Sequence, residues 1–246
     1  MKILMLHGYA QNATTFRLKL RRLEEGILKA HPDTQFVYPN APIRLRASDV
    51  PGCEGLSTNG HEDDSDGLEL RAWFQLRYVQ DPPCGLSQSL GELARVLQSQ
   101  VPFDGVVAFS QGTVVAAMVA SLLQGESRWD AYVKALGISS SIMAYPEAFL
   151  GLRHPPLKFG VLYAGRVGKA SYYDWIYKAP RVETPFCHIV GSWDPLVEHD
   201  ERDAVLEKLQ GSGRSVVVVH GGGHFVPTDG RNVDCVVKFV GECIRR

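Results

Sequence analysis

The stretch VVAFSQG, residues 106–112, places a serine between a β-branched run and a segment, residues 113–123, that is apolar nearly all round. This pattern predicts that a strand, a sharp turn and a buried helix meet at Ser110. Such a turn is typical of a nucleophile elbow, written Gly-x-Ser-x-Gly, in which the flanking residues are small because strand and helix cross closely. Ala108 stands in the first glycine position and is small enough to be tolerated.

Strand-like and helix-like segments alternate on both sides of this turn. Residues 86–97 and 233–244 carry apolar side chains at helical spacing, with charged and polar residues on the opposite face. Short apolar runs predict strands at 3–6, 36–38, 106–109, 135–138, 186–190 and 216–219. The alternation predicts one α/β domain over residues 1–246, with a doubly wound, mostly parallel sheet and helices on both faces.

The composition excludes several classes of protein. With 45% hydrophobic residues and 26 Lys plus Arg against 27 Asp plus Glu, the chain is globular and has no basic excess for nucleic acid or an anionic membrane. The five cysteines are odd in number and form no CxxC pair, which argues against a disulfide framework or a thiolate zinc site. The N-terminus enters a strand at once, so we expect a soluble, cytoplasmic protein.

Two stretches fit the alternation poorly. Residues 43–80 combine four glycines with an acidic run at 62–66, which predicts a long solvated loop or, alternatively, a substrate-facing flap. The acidic run lacks the alternating spacing of a calcium-binding loop. Residues 143–180 are rich in aromatic side chains, which favours core, with a lid or the wall of an acyl pocket as the alternative.

A serine hydroxyl needs a base to become a nucleophile. His224 lies in GGGHFVP, residues 221–227, between the last predicted strand and the last helix, where a loop can bring an imidazole to the serine. His220 and His199 are the alternatives, although each fits an ordinary strand-end or surface histidine better. We therefore predict His224 as the base.

The carboxylate that orients the base is expected after an earlier strand. Asp194 lies in GSWDPLV, residues 191–197, directly after the strand predicted at 186–190. The alternative is a simple turn before proline. Asp200 and Asp203 fall in the next helix, where they are better explained as charges of its first turn.

Two backbone N–H groups are candidates for an oxyanion hole. Gln111 N–H lies at the start of the helix after the serine, where the helix dipole favours negative charge. Tyr9 N–H follows Gly8 in LHGYAQN, residues 6–12, directly after the first strand. His7 is interpreted as a brace for this loop rather than as a base or metal ligand.

The motifs LHGYAQN, AFSQG, GSWDPLV and GGGHFVP, in this order, make the chain resemble the fungal serine hydrolase family, abbreviated FSH, of the α/β-hydrolase superfamily. YPNAP at 38–42 and RAWF at 71–74 extend the resemblance over nearly the whole length. It implies an α/β-hydrolase fold, a triad of Ser110, Asp194 and His224, and an oxyanion hole from Tyr9 and Gln111. We expect that this reaction requires no metal or organic cofactor. Ala108, where the family more often has glycine, and residues 165–180 depart from the pattern, which leaves the substrate class open.

The sequence thus predicts a serine esterase that cleaves a small-molecule acyl ester through an acyl-enzyme. The alternative is a thioesterase that releases a polyketide or acyl chain from an acyl carrier protein in a fungal pathway of secondary metabolism. Carbon–carbon hydrolysis of a diketone uses the same triad and is also open. A non-catalytic binding module is disfavoured because all three triad residues are present. Candidate pocket residues are Trp73, Phe74, Tyr172, Tyr173, Trp175 and Phe225.

Overall fold

A computed structural model describes residues 1–50, 69–75, 84–100, 102–168, 171–178, 180–197, 199–209 and 213–245. Its strands are β1 (Lys2–Leu6), β2 (Gln35–Val37), β3 (Ile43–Arg44), β4 (Arg71–Ala72), β5 (Gly105–Phe109), β6 (Phe159–Tyr163), β7 (Phe186–Gly191) and β8 (Val216–His220). Six of them form a parallel sheet in the order β2-β1-β5-β6-β7-β8, and β3 and β4 form a separate antiparallel pair.

Helices connect these strands. They are α1 (Ala13–Ala30), α2 (Leu86–Ser99), α3 (Gln111–Leu122), α4 (Glu126–Leu136), α5 (Asp174–Tyr177), α6 (His199–Lys208) and α7 (Gly230–Ile244). Short 3₁₀ turns occupy Ala47–Asp49, Glu147–Phe149 and Ser171–Tyr173.

The central strands of the sheet are buried on both faces, because their alternate side chains enter different hydrophobic clusters. In β1, Ile3 and Met5 join one cluster with residues of α1 and α7, whereas Leu4 and Leu6 join the other with residues of α2 and α3. Helices therefore cover both sides of a parallel sheet, and the chain has the predicted α/β-hydrolase fold.

Two helices begin directly after loops that approach the serine turn. At the start of α1, Asn12 and Thr15 form a capping box: Thr15 N–H donates to Asn12 Oδ1 at 2.9 Å, and Asn12 N–H donates to Thr15 Oγ1 at 3.0 Å. At the start of α7, Asn232 N–H donates to Asp229 Oδ1 at 3.1 Å. These caps define where the loops after β1 and β8 end.

One predicted strand is wrong. Residues 135–138 contain the end of α4 and an exposed turn. The strand that pairs with β5 on the side away from β1 is β6, inside the aromatic-rich stretch 143–180. A short apolar run does not distinguish a strand from a helix end. β6 was not expected because it lies inside the aromatic-rich stretch 143–180, which has no clear periodicity and was interpreted as core or as a lid.

Only parts of the predicted loop at 43–80 are described. Its beginning and residues 69–75 hold β3 and β4, while the acidic run at 62–66 lies outside the described residues. Among the cysteines that the structure describes, Cys84, Cys187 and Cys235 are free thiols. Within the same described ranges, no helix has the length and apolar character needed to cross a bilayer.

Candidate active site

The turn between β5 and α3 holds Ser110 in a strained backbone conformation. Its φ is 50° and its ψ is −118°, a region that residues with a Cβ rarely adopt. The turn is fixed from both sides: Ser110 N–H donates to Tyr163 O at 2.9 Å, and Thr113 N–H donates to Ser110 O at 3.0 Å. This geometry is that of a nucleophile elbow.

The small residues of the motif have a steric cause in the structure. A Cβ at Gly112 would collide with the backbone oxygens of Leu6 and His7, because α3 passes directly over the end of β1. Ala108 is fully buried within β5, between Leu6 and Leu162 of the neighbouring strands. The structure thus accommodates a methyl group at Ala108, two residues before the serine, but not at Gly112, two residues after it.

Ser110, His224 and Asp194 form one hydrogen-bonded chain. His224 Nε2 lies 2.8 Å from Ser110 Oγ, and His224 Nδ1 lies 2.8 Å from Asp194 Oδ2. Because a carboxylate only accepts, Nδ1 carries the proton of the neutral imidazole and Nε2 is left to accept from the serine hydroxyl. This is the arrangement that a serine nucleophile and its base require.

The loops that carry Asp194 and His224 are joined to each other. Ser192 N–H donates to His220 O at 2.9 Å, and Trp193 N–H donates to Gly222 O at 3.0 Å. Gly191, at the end of β7, allows this contact because a Cβ there would collide with the carbonyl oxygens of the 221–224 loop.

Asp194 is held inside the protein. Its side chain is only 3% exposed, against 14% for His224. Its second oxygen, Oδ1, accepts from Leu196 N–H at 2.9 Å. Both carboxylate oxygens therefore have donors, and the carboxylate has a defined orientation towards the imidazole.

The loop after β1 lies against the serine turn. A Cβ at Gly8 would lie 2.8 Å from the Phe109 ring and 3.4 Å from Ser110 Cβ, so only glycine permits this approach. Tyr9 O–H donates to Asp49 O at 2.7 Å, which directs its side chain away towards the 47–49 turn. Gln111 is the first residue of α3, where backbone N–H groups have no acceptor within the helix.

His7 is a neutral structural residue. Its Nδ1 donates to Gly8 O at 2.8 Å, and its Nε2 accepts from Ala41 N–H at 3.0 Å. Burial lowers its pKa from 6.5 to about 4, with the charge of Arg71 acting in the same direction and the bond to Gly8 opposing it. The imidazole therefore braces the loop with both nitrogens occupied.

The alternative bases are placed differently. His220 ends β8 and packs its ring against Phe225, with ring centroids 5.0 Å apart. Burial lowers the pKa of His220, although the charges of Asp229 and Asp194 oppose this shift. His199 begins α6, and Asp200 and Asp203 lie in the same helix, as expected. Of the three candidate histidines, the structure brings His224 to Ser110.

The predicted pocket residues fall into different environments. Trp73, Phe74, Tyr173 and Trp175 are buried in the hydrophobic core, and Trp175 donates its indole N–H to Met143 O at 2.9 Å. Tyr172 is half-buried, and Phe225, next to His224, is 48% exposed. Their assignment to a pocket stays a prediction.

Two exposed apolar residues beside Asp194 were not singled out from the sequence. Trp193 is 80% exposed and Leu196 is 56% exposed. With Phe225 they form what we call the apolar rim, three apolar side chains on the two loops that carry Asp194 and His224. The sequence feature that could have pointed to Trp193 and Leu196 is their position beside the predicted acid, Asp194.

In the ranges that the structure describes, no group of three or more His, Cys, Asp or Glu side chains is arranged to hold a metal ion. The described residues do bring together the Ser110 hydroxyl, the His224 imidazole and the Asp194 carboxylate.

The chain has relatives among known serine hydrolases and esterases. The family model described as "Serine hydrolase (FSH1)" matches residues 1–236. Among curated proteins, the chain is 26% identical to the "Family of serine hydrolases 2" protein of Saccharomyces cerevisiae, over 92% of this chain and 91% of that protein. It is 24% identical to "Esterase OVCA2" of Danio rerio, over 92% of this chain and 90% of that protein.

Other relatives are longer. A protein named dihydrofolate reductase, from Schizosaccharomyces pombe, is 26% identical over 92% of this chain, and the match spans 44% of its length. An uncharacterized hydrolase of the same organism is 26% identical over 97% of this chain and 50% of its own length. The chain thus spans about half the length of these two relatives.

Solved structures share the fold. Acyl-protein thioesterase 2 of Zea mays superposes with a TM-score of 0.60 at 18% identity, over 99% of this chain and 94% of that one. SOBER1 of Arabidopsis thaliana superposes with a TM-score of 0.61 at 13% identity, over 99% of both chains. At these identities the likeness extends to the fold alone.

Proposed function

Because the chain belongs to the serine hydrolase (FSH1) family, we propose that it hydrolyses a carboxylic ester of a small-molecule acyl substrate, with Ser110 as nucleophile, His224 as general base and Asp194 as the orienting acid. The observation that carries the proposal is the chain of two 2.8 Å contacts, from Ser110 Oγ to His224 Nε2 and from His224 Nδ1 to Asp194 Oδ2.

The first half of the reaction forms an acyl-enzyme. Ser110 Oγ attacks the carbonyl carbon while His224 Nε2 accepts the hydroxyl proton. The imidazolium that results is stabilised by the Asp194 carboxylate. His224 then donates this proton to the leaving alkoxide, so the C–O bond of the ester breaks and the alcohol leaves.

The second half restores the enzyme. His224 Nε2 accepts a proton from water, the hydroxide attacks the acyl carbon, and the bond to Ser110 Oγ breaks. His224 returns the proton to the serine, and the carboxylic acid is released. The proton transfers of each step involve only these side chains and water.

The negative charge on the carbonyl oxygen needs donors during both halves. We assign these to the backbone N–H groups of Gln111 and Tyr9. The position of Gln111 at the first residue of α3 and the close approach of Gly8 to Ser110 support this assignment. The dipole of α3 adds favourable potential at the same point.

The apolar rim supports an acyl substrate over a small polar one. Trp193, Leu196 and Phe225 leave apolar surface exposed on the two loops that carry the acid and the base. An acyl chain that covers this surface on binding would be favoured by removal of apolar area from water. The aromatic residues predicted for the pocket support an acyl substrate less directly, because most of them are buried in the core.

The same groups would attack a thioester. Release of an acyl or polyketide chain from a carrier protein therefore stays the alternative, with the carrier protein as partner. The two substrates differ in the leaving group and in the need for a protein-docking surface. A matched series of p-nitrophenyl esters and acyl thioesters of equal chain lengths distinguishes them by the ratio of kcat/KM values.

The roles of the three side chains are tested with variants on the same series. We expect Ser110→Ala to lower kcat by about 10⁴-fold or more, and Asp194→Asn by about 10⁴-fold, because the amide no longer holds the imidazole in the required tautomer. Ser127→Ala, at an exposed serine of α4, is the matched control and should retain full activity.

A fluorophosphonate probe provides a second readout. The wild-type chain should be labelled on Ser110, as located by peptide mass spectrometry, and Ser110→Ala should not be labelled. Hydrolysis that survives in Ser110→Ala would contradict the proposal. Labelling without turnover of any ester or thioester would show a competent nucleophile and reject generic acyl substrates.

A further inference from the structure

Trp73 lies between the two segments that carry the proposed oxyanion donors. It follows β4 within residues 69–75, a short described segment far in sequence from both, and is fully buried. Its indole N–H donates to His7 O at 2.8 Å, and its backbone N–H donates to Gln111 Oε1 at 2.9 Å. One residue is thus hydrogen-bonded to the loop after β1 and to the first residue of α3.

The side chain of Gln111 completes the second connection. While Oε1 accepts from Trp73 N–H, Nε2 donates to Phe74 O at 2.7 Å. The two bonds fix the orientation of the amide, because reversing it would set N–H against N–H and oxygen against oxygen. The residue whose backbone N–H is a proposed oxyanion donor is therefore anchored through its own side chain.

The first connection is equally well supported. The rings of Trp73 and His7 pack with centroids 5.2 Å apart, and both nitrogens of His7 are occupied by Gly8 O and Ala41 N–H. Gly8 N–H in turn donates to Gln11 Oε1 at 3.2 Å. The His7 carbonyl that accepts the indole proton is thus part of a loop with few degrees of freedom, two residues before the Tyr9 N–H.

Trp73 is itself held in place. Ser89 of α2 donates its hydroxyl to Trp73 O, and Arg71 N–H donates to Gln11 O at 3.1 Å. The segment 69–75 is therefore bonded both to α2 and to the loop after β1. A rigid residue that is bonded to both donor segments sets the distance between them.

We propose that Trp73 and the Gln111 side chain are positioning residues, which hold the Tyr9 and Gln111 N–H groups at the separation needed to bind the oxyanion. This rests on the proposed function. The oxyanion forms only in the transition state, so loss of either connection should lower kcat and leave KM nearly unchanged. A displacement of the donors should cost about 10- to 100-fold in kcat.

The test uses two variants and one control. Trp73→Phe removes the indole N–H but keeps a buried aromatic ring, and Gln111→Met removes both amide bonds but keeps the backbone N–H and the side-chain length. Thr184→Val is the control, because it removes one buried bond, Thr184 O–H to Leu157 O at 3.1 Å, near the opposite end of β7. Melting temperature and circular dichroism are measured for all three.

Inhibitor affinity separates positioning from general destabilisation. A trifluoromethyl ketone of the preferred acyl chain forms an oxyanion on Ser110, and the corresponding methyl ketone serves as the uncharged reference. We expect Trp73→Phe and Gln111→Met to weaken the trifluoromethyl ketone by the same factor as kcat, with binding of the methyl ketone unchanged. Thr184→Val should lower only the melting temperature.

The outcomes are distinct. Unchanged kcat and unchanged trifluoromethyl ketone affinity in Gln111→Met and in folded Trp73→Phe would overturn the positioning role while the wild-type activity stands. If Trp73→Phe does not fold, Gln111→Met alone decides. A wild-type chain that is not labelled by a fluorophosphonate at Ser110 would overturn the proposed function itself, and the positioning role with it.

Discussion

The backbone strain at Ser110 leads to a stability prediction that is independent of catalysis. Its φ of 50° and ψ of −118° lie where glycine is unhindered and a Cβ is crowded. We therefore predict that Ser110→Gly is more stable than Ser110→Ala. Both variants lose the hydroxyl and its contact with His224 Nε2, so that loss cancels in the comparison.

The size of the difference follows from two opposing effects. A non-glycine residue in such a region costs about 1–3 kcal/mol, which only the glycine variant avoids. Glycine gains more freedom in the unfolded chain, which costs the folded state about 0.5–1 kcal/mol relative to alanine. The net advantage of Ser110→Gly is about 1 kcal/mol, or about 2–4 °C in melting temperature for a chain of this size.

The assay is urea unfolding of both variants, followed by circular dichroism, with the free energies extrapolated to water. The control is the same pair of substitutions at Arg22, an exposed position inside α1, where glycine should be less stable than alanine by about 1 kcal/mol. The order of stability must reverse between the two sites. Equal free energies of unfolding for Ser110→Ala and Ser110→Gly would refute the argument that the backbone at Ser110 is strained.

Two further predictions concern stability. Burial lowers the pKa values of His7 and His188 to about 4. These histidines therefore take up protons near pH 6.5 in the unfolded chain, but only near pH 4 in the folded chain. Their contribution to the free energy of unfolding is complete above pH 6.5 and is lost as the pH falls from 6.5 towards 4. His188→Leu should reduce the slope of the unfolding free energy, measured between pH 6 and 5, by about 1 kcal/mol per pH unit, and an unchanged slope would contradict this. Gly112→Ala should destabilise the folded protein by about 1–3 kcal/mol, because the new Cβ collides with Leu6 O and His7 O. Gly91→Ala is the control: it lies in α2 with open space around it and should stabilise the protein by about 1 kcal/mol. Equal effects of the two substitutions on the urea midpoint would show that the collision is relieved at no cost.

The triad residues could be predicted from the sequence because each has a local signature. Ser110, Asp194 and His224 each follow a strand of the parallel sheet in a short motif, and the carboxyl ends of parallel strands lie at the same edge of a sheet. The contacts between them are separated by up to 114 positions in the chain, but the order of strands and motifs was sufficient to expect them.

The errors and omissions have a different origin. β6 was not expected because it lies inside the aromatic-rich stretch 143–180, and the strand was assigned instead to the apolar run 135–138, at the end of α4. The connection of Trp73 to His7 and Gln111 was not foreseen because it depends on three segments that meet only in the folded protein. The large aromatic side chain of Trp73 predicts burial. The partner of its indole N–H, however, depends on tertiary structure.

The strand order also has a consequence for how the chain folds. β1 pairs with β5, and Ile3 lies opposite Gly105, so the centre of the sheet closes only after a segment of about a hundred residues has been brought together. Parallel sheets with such distant pairings fold slowly, because loop-closure entropy is lost before the contacts form. The helices can form early, whereas the proposed hydrolytic site, which needs β5, β7 and β8 side by side, is completed late. In a refolding experiment, helical signal therefore returns before enzymatic activity does.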